Sequence, residues 1–245
     1  MIPKTIHYCW LSNDPVPQEL QKYMTTWKEK LPDYEFILWD LKRFNLQSSE
    51  WVQQAFEAHK YAFAADFIRL YAVYNYGGIY MDMDIEVIKN FDELLDSPYI
   101  LAYEKENGIE AGIFGAEKHH PLIKQCLDYY QNRKFINTQG QMSITPLPEI
   151  MYNLLSINYR FQKRTSLQMG TEPQTIYLFP NEYFTAKSYT TGKITCTRNT
   201  YTIHHFAGSW VSKTEKIKKN IYQFIRNNPF LYRIYNCSYK KIKRK

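Results

Sequence analysis

The sequence predicts an α/β fold, with a single Rossmann-like domain that has a mostly parallel central sheet over residues 1–210 and a basic helical tail over 211–245. The chain has 245 residues, 44% of them apolar, which suits one domain with a sizeable core and excludes global disorder. Its first forty residues read as strand, turn, helix and strand, the opening order of an α/β sheet. Eleven Lys or Arg and a single acid fall in 211–245, so the net charge of +7 belongs to the tail.

Hydrophobic spacing and turn residues predict the elements in order. Within the second helix Phe63, Phe67 and Leu70 recur at helical spacing and are expected to face the core. Gly77 and Gly78 end that helix, because Gly readily adopts the left-handed conformation that terminates helices. The predicted strands cover 4–10, 34–39, 79–87 and 109–116, and the predicted helices cover 18–30, 50–76, 121–132 and 147–160.

Cysteine spacing and the N-terminus indicate where the protein acts. Cys9, Cys126, Cys196 and Cys237 lie far apart without a CxxC pair, which argues against a structural zinc site or a disulfide framework and suits a reducing cytoplasm. Residues 1–14 lack the basic and apolar regions of a secretory signal, and no stretch approaches the roughly 18 apolar residues of a spanning helix. We therefore expect a cytoplasmic protein, peripheral on the inner face of the plasma membrane.

Two carboxylates follow the Gly-Gly break. On a strand, alternate residues share a face, so Tyr80, Asp82 and Asp84 are predicted to point the same way. Two such carboxylates repel each other unless a cation lies between them, and Mn²⁺ or Mg²⁺ binds carboxylate and phosphate oxygens together. The pair predicts a metal–diphosphate site, and a solvated acidic turn is the alternative.

The helix before this strand carries Asp66 and Arg69, which are neighbours on one helical face. They form either a surface ion pair that contributes little or a buried pair that binds sugar hydroxyls and phosphate oxygens. The helix alone does not decide between these interpretations.

Two further segments carry candidate site residues. Residues 202–210 include two histidines and Trp210, which would supply a metal ligand and an indole N–H for a phosphate, or would simply pack in the core. Trp10 ends the first predicted strand, where ligands bind in open α/β sheets. It would stack on a nucleotide base there, and core filling is the alternative.

Four segments together resemble glycosyltransferase family 32, the transferases with a DxD sugar-binding motif. That family includes bacterial capsule and lipopolysaccharide transferases and yeast initiating mannosyltransferases, and the glucosyltransferase domains of clostridial toxins share its pattern. The segments appear in family order and span nearly the whole body, and the long second one is highly specific. They are IPKTIHYCW at 2–10, AADFIRLYAVYNYGGIYMDMD at 64–84, GAEKHHP at 115–121 and HHFAGSW at 204–210.

The resemblance implies a GT-A fold, a UDP-sugar donor and Mn²⁺ or Mg²⁺. It implies that Asp84 binds the metal directly, that Asp82 contacts the ribose and the metal, and that His205 is the metal ligand of the terminal segment. Relatives often have Asn before their GA motif, where this chain has Ala111 and Gly112. The contact of that Asn with the sugar is thus not expected in the same form.

The resemblance also implies how the donor is held. Trp10 would stack on the base, Asp66 and Arg69 would hold the sugar, and Ser209 and Trp210 would bind the donor, with Trp210 at the β-phosphate. The residues expected to carry catalysis are Asp66, Arg69, Asp84 and Trp210.

The expected function is metal-dependent transfer of a hexose, galactose or a related sugar, with retention of anomeric configuration. The acceptor would be an oligosaccharide or a lipid-linked glycan in capsular or surface polysaccharide synthesis. A metal-dependent phosphohydrolase is one alternative, but the aspartyl-nucleophile type needs its DxD near the N-terminus and a Thr or Val where Glu86 stands here.

The tail suggests a membrane partner. Residues 213–245 mix Lys and Arg with Ile, Tyr, Phe and Leu, a composition typical of segments that lie on anionic lipid. The alternative without a membrane partner is a solvated basic tail or a helix packed on the body. Nucleic-acid binding by the tail is a further alternative, disfavoured because the body is acidic, and we expect no nucleic-acid partner.

Overall fold

The computed structural model describes residues 1–105, 107–208, 213–229 and 231–233. Its helices are α1 (Gln18–Lys30), α2 (Glu50–Glu57), α3 (Tyr61–Tyr76), α4 (Pro121–Asp128), α5 (Leu147–Ser156) and α6 (Lys213–Asn227). Its strands are β1 (Thr5–Cys9), β2 (Glu35–Trp39), β3 (Gly78–Met81), β4 (Ile85–Val87), β5 (Tyr99–Ile100), β6 (Tyr103–Lys105), β7 (Gly108–Ile109), β8 (Ile113–Ala116), β9 (Arg160–Lys163), β10 (Thr175–Leu178) and β11 (Thr202–His204).

The central sheet has the strand order β2-β1-β3-β8-β5. Strand β1 pairs in parallel with β2 and β3, whereas β8 is antiparallel to both β3 and β5. Among the described residues, four of its five strands therefore point the same way, and the predicted α/β fold with a mostly parallel central sheet is confirmed. Because Ile6 pairs with Ile79, strands β1 and β3 finish at the same end of the sheet, where open α/β sheets bind ligands.

Both faces of the sheet are covered by apolar side chains. On one face Trp51 of α2 and Phe114 of β8 belong to a core that includes α3, α4 and α5. On the other face Trp27 of α1 packs in a second core with Phe91. The sheet is thus the middle layer of the protein, and only its ends and loops are open to ligands.

The junction between α3 and β3 depends on two glycines. Gly77 caps the helix with a φ of 69°, in the left-handed region. A Cβ on Gly78 would lie 2.6 Å from the carbonyl oxygen of Thr5, so only Gly lets β3 lie this close to β1. The Nε2–H of His7 donates to the carbonyl of Gly77 at 2.8 Å and so holds the turn in place.

Three predicted elements are each divided in the structure. The helix predicted over 50–76 is α2 and α3, separated at 58–60, where His59 adopts a φ of 55°. The strand predicted over 109–116 is divided into β7 and β8. The strand predicted over 79–87 is β3 and β4, separated by a turn over 82–84. The expectation that Asp82 and Asp84 share one face of a strand is therefore wrong, since both lie in this turn.

Other predicted elements differ mainly in length. The helices predicted over 121–132 and 147–160 end at Asp128 and Ser156. Within the described residues, each helix is too short or too polar to cross a membrane. Within the predicted tail the structure describes α6, and both the basic helical tail as a whole and the domain boundary at residue 210 stay predictions.

Candidate active site

Two carboxylates and one imidazole converge beyond the end of β3. Each of Asp82, Asp84 and His204 offers a ligand atom, and these atoms lie within 4.8 Å of one another. The turn that carries the two aspartates is tied to the sheet because the Asp82 N–H donates to the carbonyl of Gly112 at 2.7 Å. Strand β11 brings the histidine from the far end of the body by pairing antiparallel with β4.

This set of atoms fits a divalent cation. Carboxylate oxygens suit Mg²⁺ and Mn²⁺, and an imidazole nitrogen suits first-row transition metals. Asp84 is only 4% exposed and His204 only 7%, so their charges need a partner inside the protein rather than in bulk water. The sequence prediction that Asp82 and Asp84 lie together is consistent with this geometry, and their role as metal ligands stays a prediction.

Arg69 is buried between carboxylates. Its Nη2 lies 3.4 Å from Oδ1 of Asp66 and 3.4 Å from Oδ1 of Asp82, and its Nη1 donates to the carbonyl of Ala111 at 2.7 Å. Asp66 and Arg69 are therefore a buried pair, as one of the two sequence interpretations required, and not a surface ion pair. The guanidinium links α3 to the aspartate turn and to the strand region after β7.

The electrostatics of the site follow from burial and from two cationic partners. Burial raises the pKa of Asp66 to about 6 although Arg69 opposes the shift. Burial also raises the pKa of Asp82, again against the opposing effect of Arg69. For Asp84 burial acts in the same direction, but His204 and the backbone N–H of Ala207 outweigh it and hold the pKa of the carboxyl below its ordinary value.

His204 stands between two carboxylates. Its Nε2 lies 3.4 Å from Oδ1 of Asp84, and its Nδ1 lies 3.3 Å from Oε1 of Glu110. Burial alone would lower the pKa of the imidazole, but the two carboxylates raise it well above its ordinary value. The site thus favours positive charge at Nε2, which either a proton or a metal cation supplies.

Glu110 is a buried residue of the site that the sequence analysis missed. Its carboxylate accepts hydrogen bonds from the Gly112 N–H at 2.7 Å and from the hydroxyl of Thr185. A Cβ on Gly112 would lie 2.6 Å from Cε1 of His204, so the glycine lets the imidazole approach. The available signal was an acid within the otherwise apolar IEAGIFGA segment at 109–116.

His205, the expected metal ligand, faces away from the carboxylate pair. Its Nε2 lies 2.7 Å from Oε2 of Glu86, and its ring stacks on Tyr23 with the centroids 4.1 Å apart. Successive side chains at the end of β11 point to opposite sides, so only His204 reaches Asp84. The histidine beside the carboxylate pair is thus His204, one position before the expected one, and a metal-ligand role for either histidine stays a prediction.

Two clefts meet at this cluster. One cleft, of about 290 Å³, contains Trp10, whose indole N–H donates to the carbonyl of Asp14 at 2.9 Å. Because Trp10 is the residue expected to stack on a base, we call this the nucleotide-side cleft. The other cleft, of about 610 Å³, contains His204 and Tyr189, and under the same expectation we call it the acceptor-side cleft. Both clefts are lined by Arg69, Asp82 and Asp84.

The structure describes only some of the residues expected to contact the donor. Stacking of a base on Trp10 stays a prediction, although the side chain lines the nucleotide-side cleft. The expected donor-binding residues Ser209 and Trp210 lie outside the described residues.

Comparison with known proteins bears on the same region. Residues 17–101 match the family described as "Glycosyltransferase sugar-binding region containing DXD motif", and this segment includes Asp66, Arg69, Asp82 and Asp84. A solved structure called "PaToxG Glycosyltransferase" aligns with a TM-score of 0.49 and 19% identity over 64% of this chain and 69% of its own.

Several relatives are named as yeast enzymes. "Inositol phosphoceramide mannosyltransferase 3" of Schizosaccharomyces pombe is 30% identical over 130 residues, which are 51% of this chain and 36% of that protein. "Mannosyl phosphorylinositol ceramide synthase SUR1" of Saccharomyces cerevisiae is 28% identical over 203 residues, 80% of this chain and 50% of its own. The chain thus spans half or less of the length of these relatives. The matched motif and these similarities confirm the resemblance, seen in the sequence, to the DXD-containing, family 32 type of glycosyltransferases.

Proposed function

We propose that the protein transfers a sugar from a nucleoside diphosphate sugar to a lipid-linked acceptor, with the help of a divalent cation. The observation that carries this proposal is the convergence of Asp82, Asp84 and His204 where two clefts meet. A donor has two unlike ends, a nucleotide and a sugar, joined by a diphosphate. Two clefts joined at a cation site match that shape, within a fold that we propose to be of the GT-A type.

Asp84 and His204 would hold the cation directly, and Asp82 would hold it directly or through water. A cation bound there, Mn²⁺ or Mg²⁺, would neutralise the charge that develops on the leaving diphosphate. Glu110 faces Nδ1 of His204 and would leave Nε2 free to act as the ligand. This arrangement supports the donor set as a metal site and not merely as an acidic cluster.

The sugar would lie where the two clefts meet, against α3. The guanidinium of Arg69 is held in place by the carbonyl of Ala111, so its remaining N–H groups have a fixed direction. Asp66 lines the acceptor-side cleft, where its carboxylate would accept hydrogen bonds from sugar hydroxyls. The nucleotide would occupy the other cleft, with its base near Trp10.

The sugar and the acceptor are proposed from the names of the relatives. Five of them have names that describe the addition of mannose to inositol phosphoceramide or the synthesis of the mannosylated lipid. Mannose on GDP is therefore our first candidate donor, ahead of the UDP-galactose type expected from the sequence. A glycolipid acceptor replaces the capsular polysaccharide as the first candidate, and retention of the anomeric configuration stays our expectation.

A donor screen tests the proposal. Transfer and donor hydrolysis would be measured with GDP-mannose, UDP-galactose, UDP-glucose and UDP-N-acetylglucosamine, each with Mn²⁺ and with excess chelator. We expect turnover with one donor class, in Mn²⁺ only, and none by the Asp84→Asn variant. Asp96→Asn, at an exposed aspartate outside both clefts, is the matched control and should keep wild-type turnover. Equal turnover by Asp84→Asn, or by the wild type in chelator, would overturn the proposal.

A further inference from the structure

Helix α6 exposes a stripe of large apolar side chains. Ile217, Ile221 and Phe224 are 57%, 54% and 67% exposed. Their spacing of four and then three residues places them on one face of the helix. We call this set the α6 stripe.

The helix contacts the body through a different side. The side-chain amide of Gln223 donates to the carbonyl of Tyr189 at 2.8 Å, and that of Asn227 donates to the carbonyl of Thr191 at 2.8 Å. An amphipathic helix of a globular protein normally buries its apolar face against the core. Here amide groups attach the helix and the apolar face is left toward solvent, which indicates a second surface that covers it.

The charge around the stripe selects an anionic surface. Residues 211–245 carry eleven Lys or Arg and one acid, Glu215. Lys218 lies on α6 next to the stripe and is exposed. A second copy of this chain would bring the same basic segment against itself, so like charges oppose that arrangement. A bilayer with anionic headgroups offers both an apolar layer and the opposite charge.

The attachment point of α6 lies at the opening of the acceptor-side cleft. Tyr189, whose carbonyl receives the Gln223 hydrogen bond, lines that cleft and is 59% exposed. Its ring packs edge-on against Phe206 at 5.2 Å, and Phe206 stacks on His204 at 4.1 Å. A short chain of contacts therefore joins the helix to the proposed cation site.

We infer that the α6 stripe docks on an anionic bilayer and thereby places the opening of the acceptor-side cleft at the membrane surface. The docking itself requires only the stripe and the basic charge around it. Its use for reaching a lipid-linked acceptor rests on the proposed function. The helix would act as a surface anchor that lies in the headgroup region and does not span the bilayer.

Vesicle flotation with the full chain tests this inference. The probes are phosphatidylcholine vesicles, with and without about 30% phosphatidylglycerol, a content that models an anionic membrane surface. The test variant replaces the stripe with Ile217→Ser, Ile221→Ser and Phe224→Ser. The control makes the same change at two apolar residues exposed elsewhere, Ile144 and Ile157.

We expect the wild type and the control to float with the anionic vesicles. The stripe variant should bind these vesicles about tenfold more weakly or worse, because membrane affinity scales with buried apolar area. Binding by all three proteins to pure phosphatidylcholine should be much weaker, because the electrostatic attraction is missing.

Three results would overturn the inference. The first is that the stripe variant binds anionic vesicles as well as the wild type does. The second is that neither protein binds vesicles, while the wild type self-associates and the stripe variant does not. The third is that the wild type binds a polynucleotide in preference to anionic vesicles. Donor hydrolysis, measured without lipid, separates this test from the proposed function. If α6 serves only for docking, the stripe variant should hydrolyse the donor at the wild-type rate. A wild-type protein that binds anionic vesicles but turns over no donor would contradict the proposed function and leave the docking inference standing.

Discussion

The Nδ1 atom of His204 lies 3.3 Å from the Oε1 atom of Glu110, a buried carboxylate that is held by two hydrogen bonds of its own. The opposite nitrogen of the ring, Nε2, faces Asp84. A carboxylate behind a metal-binding histidine fixes the tautomer and direction of the ring. We therefore expect Glu110 to position the ring, whereas Asp84 and His204 would contact the cation.

Replacing Glu110 tests this positioning role. Glu110→Ala should weaken Mn²⁺ binding by about 10- to 100-fold, the usual effect of losing a residue that supports a metal ligand. Glu110→Gln keeps an oxygen that accepts from Nδ1–H, and we expect it to lose less. Electron paramagnetic resonance of free Mn²⁺ gives the affinities directly. Glu149→Gln, at an exposed glutamate, is the control, and wild-type affinity in Glu110→Ala would contradict the assigned role.

The adjacent histidines provide a matched pair. Loss of a residue that supports a metal ligand weakens metal binding by about 100-fold at most. His204→Ala removes a proposed ligand itself, so its Mn²⁺ affinity should fall by more than that. His205→Ala removes a contact with Glu86 and a stack on Tyr23, and should keep Mn²⁺ affinity near that of the wild type. Isothermal titration with Mn²⁺ distinguishes the two. The reverse pattern would restore His205 as the ligand and contradict the site described here.

Arg69 is expected to be necessary for stability as well as for donor binding. Arg69→Ala leaves the carboxylates of Asp66 and Asp82 buried without their shared cation, which typically lowers the free energy of unfolding by about 3–5 kcal/mol. Urea unfolding monitored by circular dichroism measures the change. Lys124→Ala removes an exposed partner of Asp128 and should leave the free energy of unfolding almost unchanged. Similar small effects in both variants would show that the buried pair is not a structural requirement.

His7 is expected to make the fold sensitive to acid. Burial lowers the pKa of His7 from its ordinary value of 6.5, and the indole N–H of Trp39 donates to its Nδ1 at 3.1 Å, which requires that nitrogen to be unprotonated. Below pH 6.5 the unfolded chain therefore binds a proton that the folded chain does not, so stability falls as the pH falls toward the lower, folded-state pKa.

The variant His7→Gln tests that sign. It should be less stable than the wild type at neutral pH, because buried hydrogen bonds are lost, but its stability should fall less between neutral pH and about pH 5. Urea unfolding at a series of pH values measures both quantities. A slope as steep as that of the wild type would assign the acid sensitivity to other groups.

The sequence predicted those parts of the site that lie close together in the chain. Asp66, Arg69, Asp82 and Asp84 fall in one helix–turn segment, and two glycines and the apolar spacing define its ends. The reason given for the aspartates was only partly right, since they lie in a turn and not along a strand. Local patterns thus identified the residues but not their conformation.

The rest of the site depends on contacts between distant segments. Whether His204 or His205 faces the aspartates is decided by the register of β11 on β4, where His204 pairs with Ile85. Glu110 acquires its partner only when the segment between β7 and β8 packs against His204, and nothing local marks it except an acid among apolar residues. The break between α2 and α3 was missed because it contains neither Gly nor Pro.

Locating a bound cation tests the central claim most directly. Crystals grown with Mn²⁺ and a nucleoside diphosphate would be measured at the manganese absorption edge to give an anomalous difference map. The account predicts one strong peak within bonding distance of Asp84 Oδ1 and His204 Nε2, with the diphosphate on its open side. A peak beside His205 and Glu86, or a diphosphate bound without any manganese peak near Asp84, would contradict it.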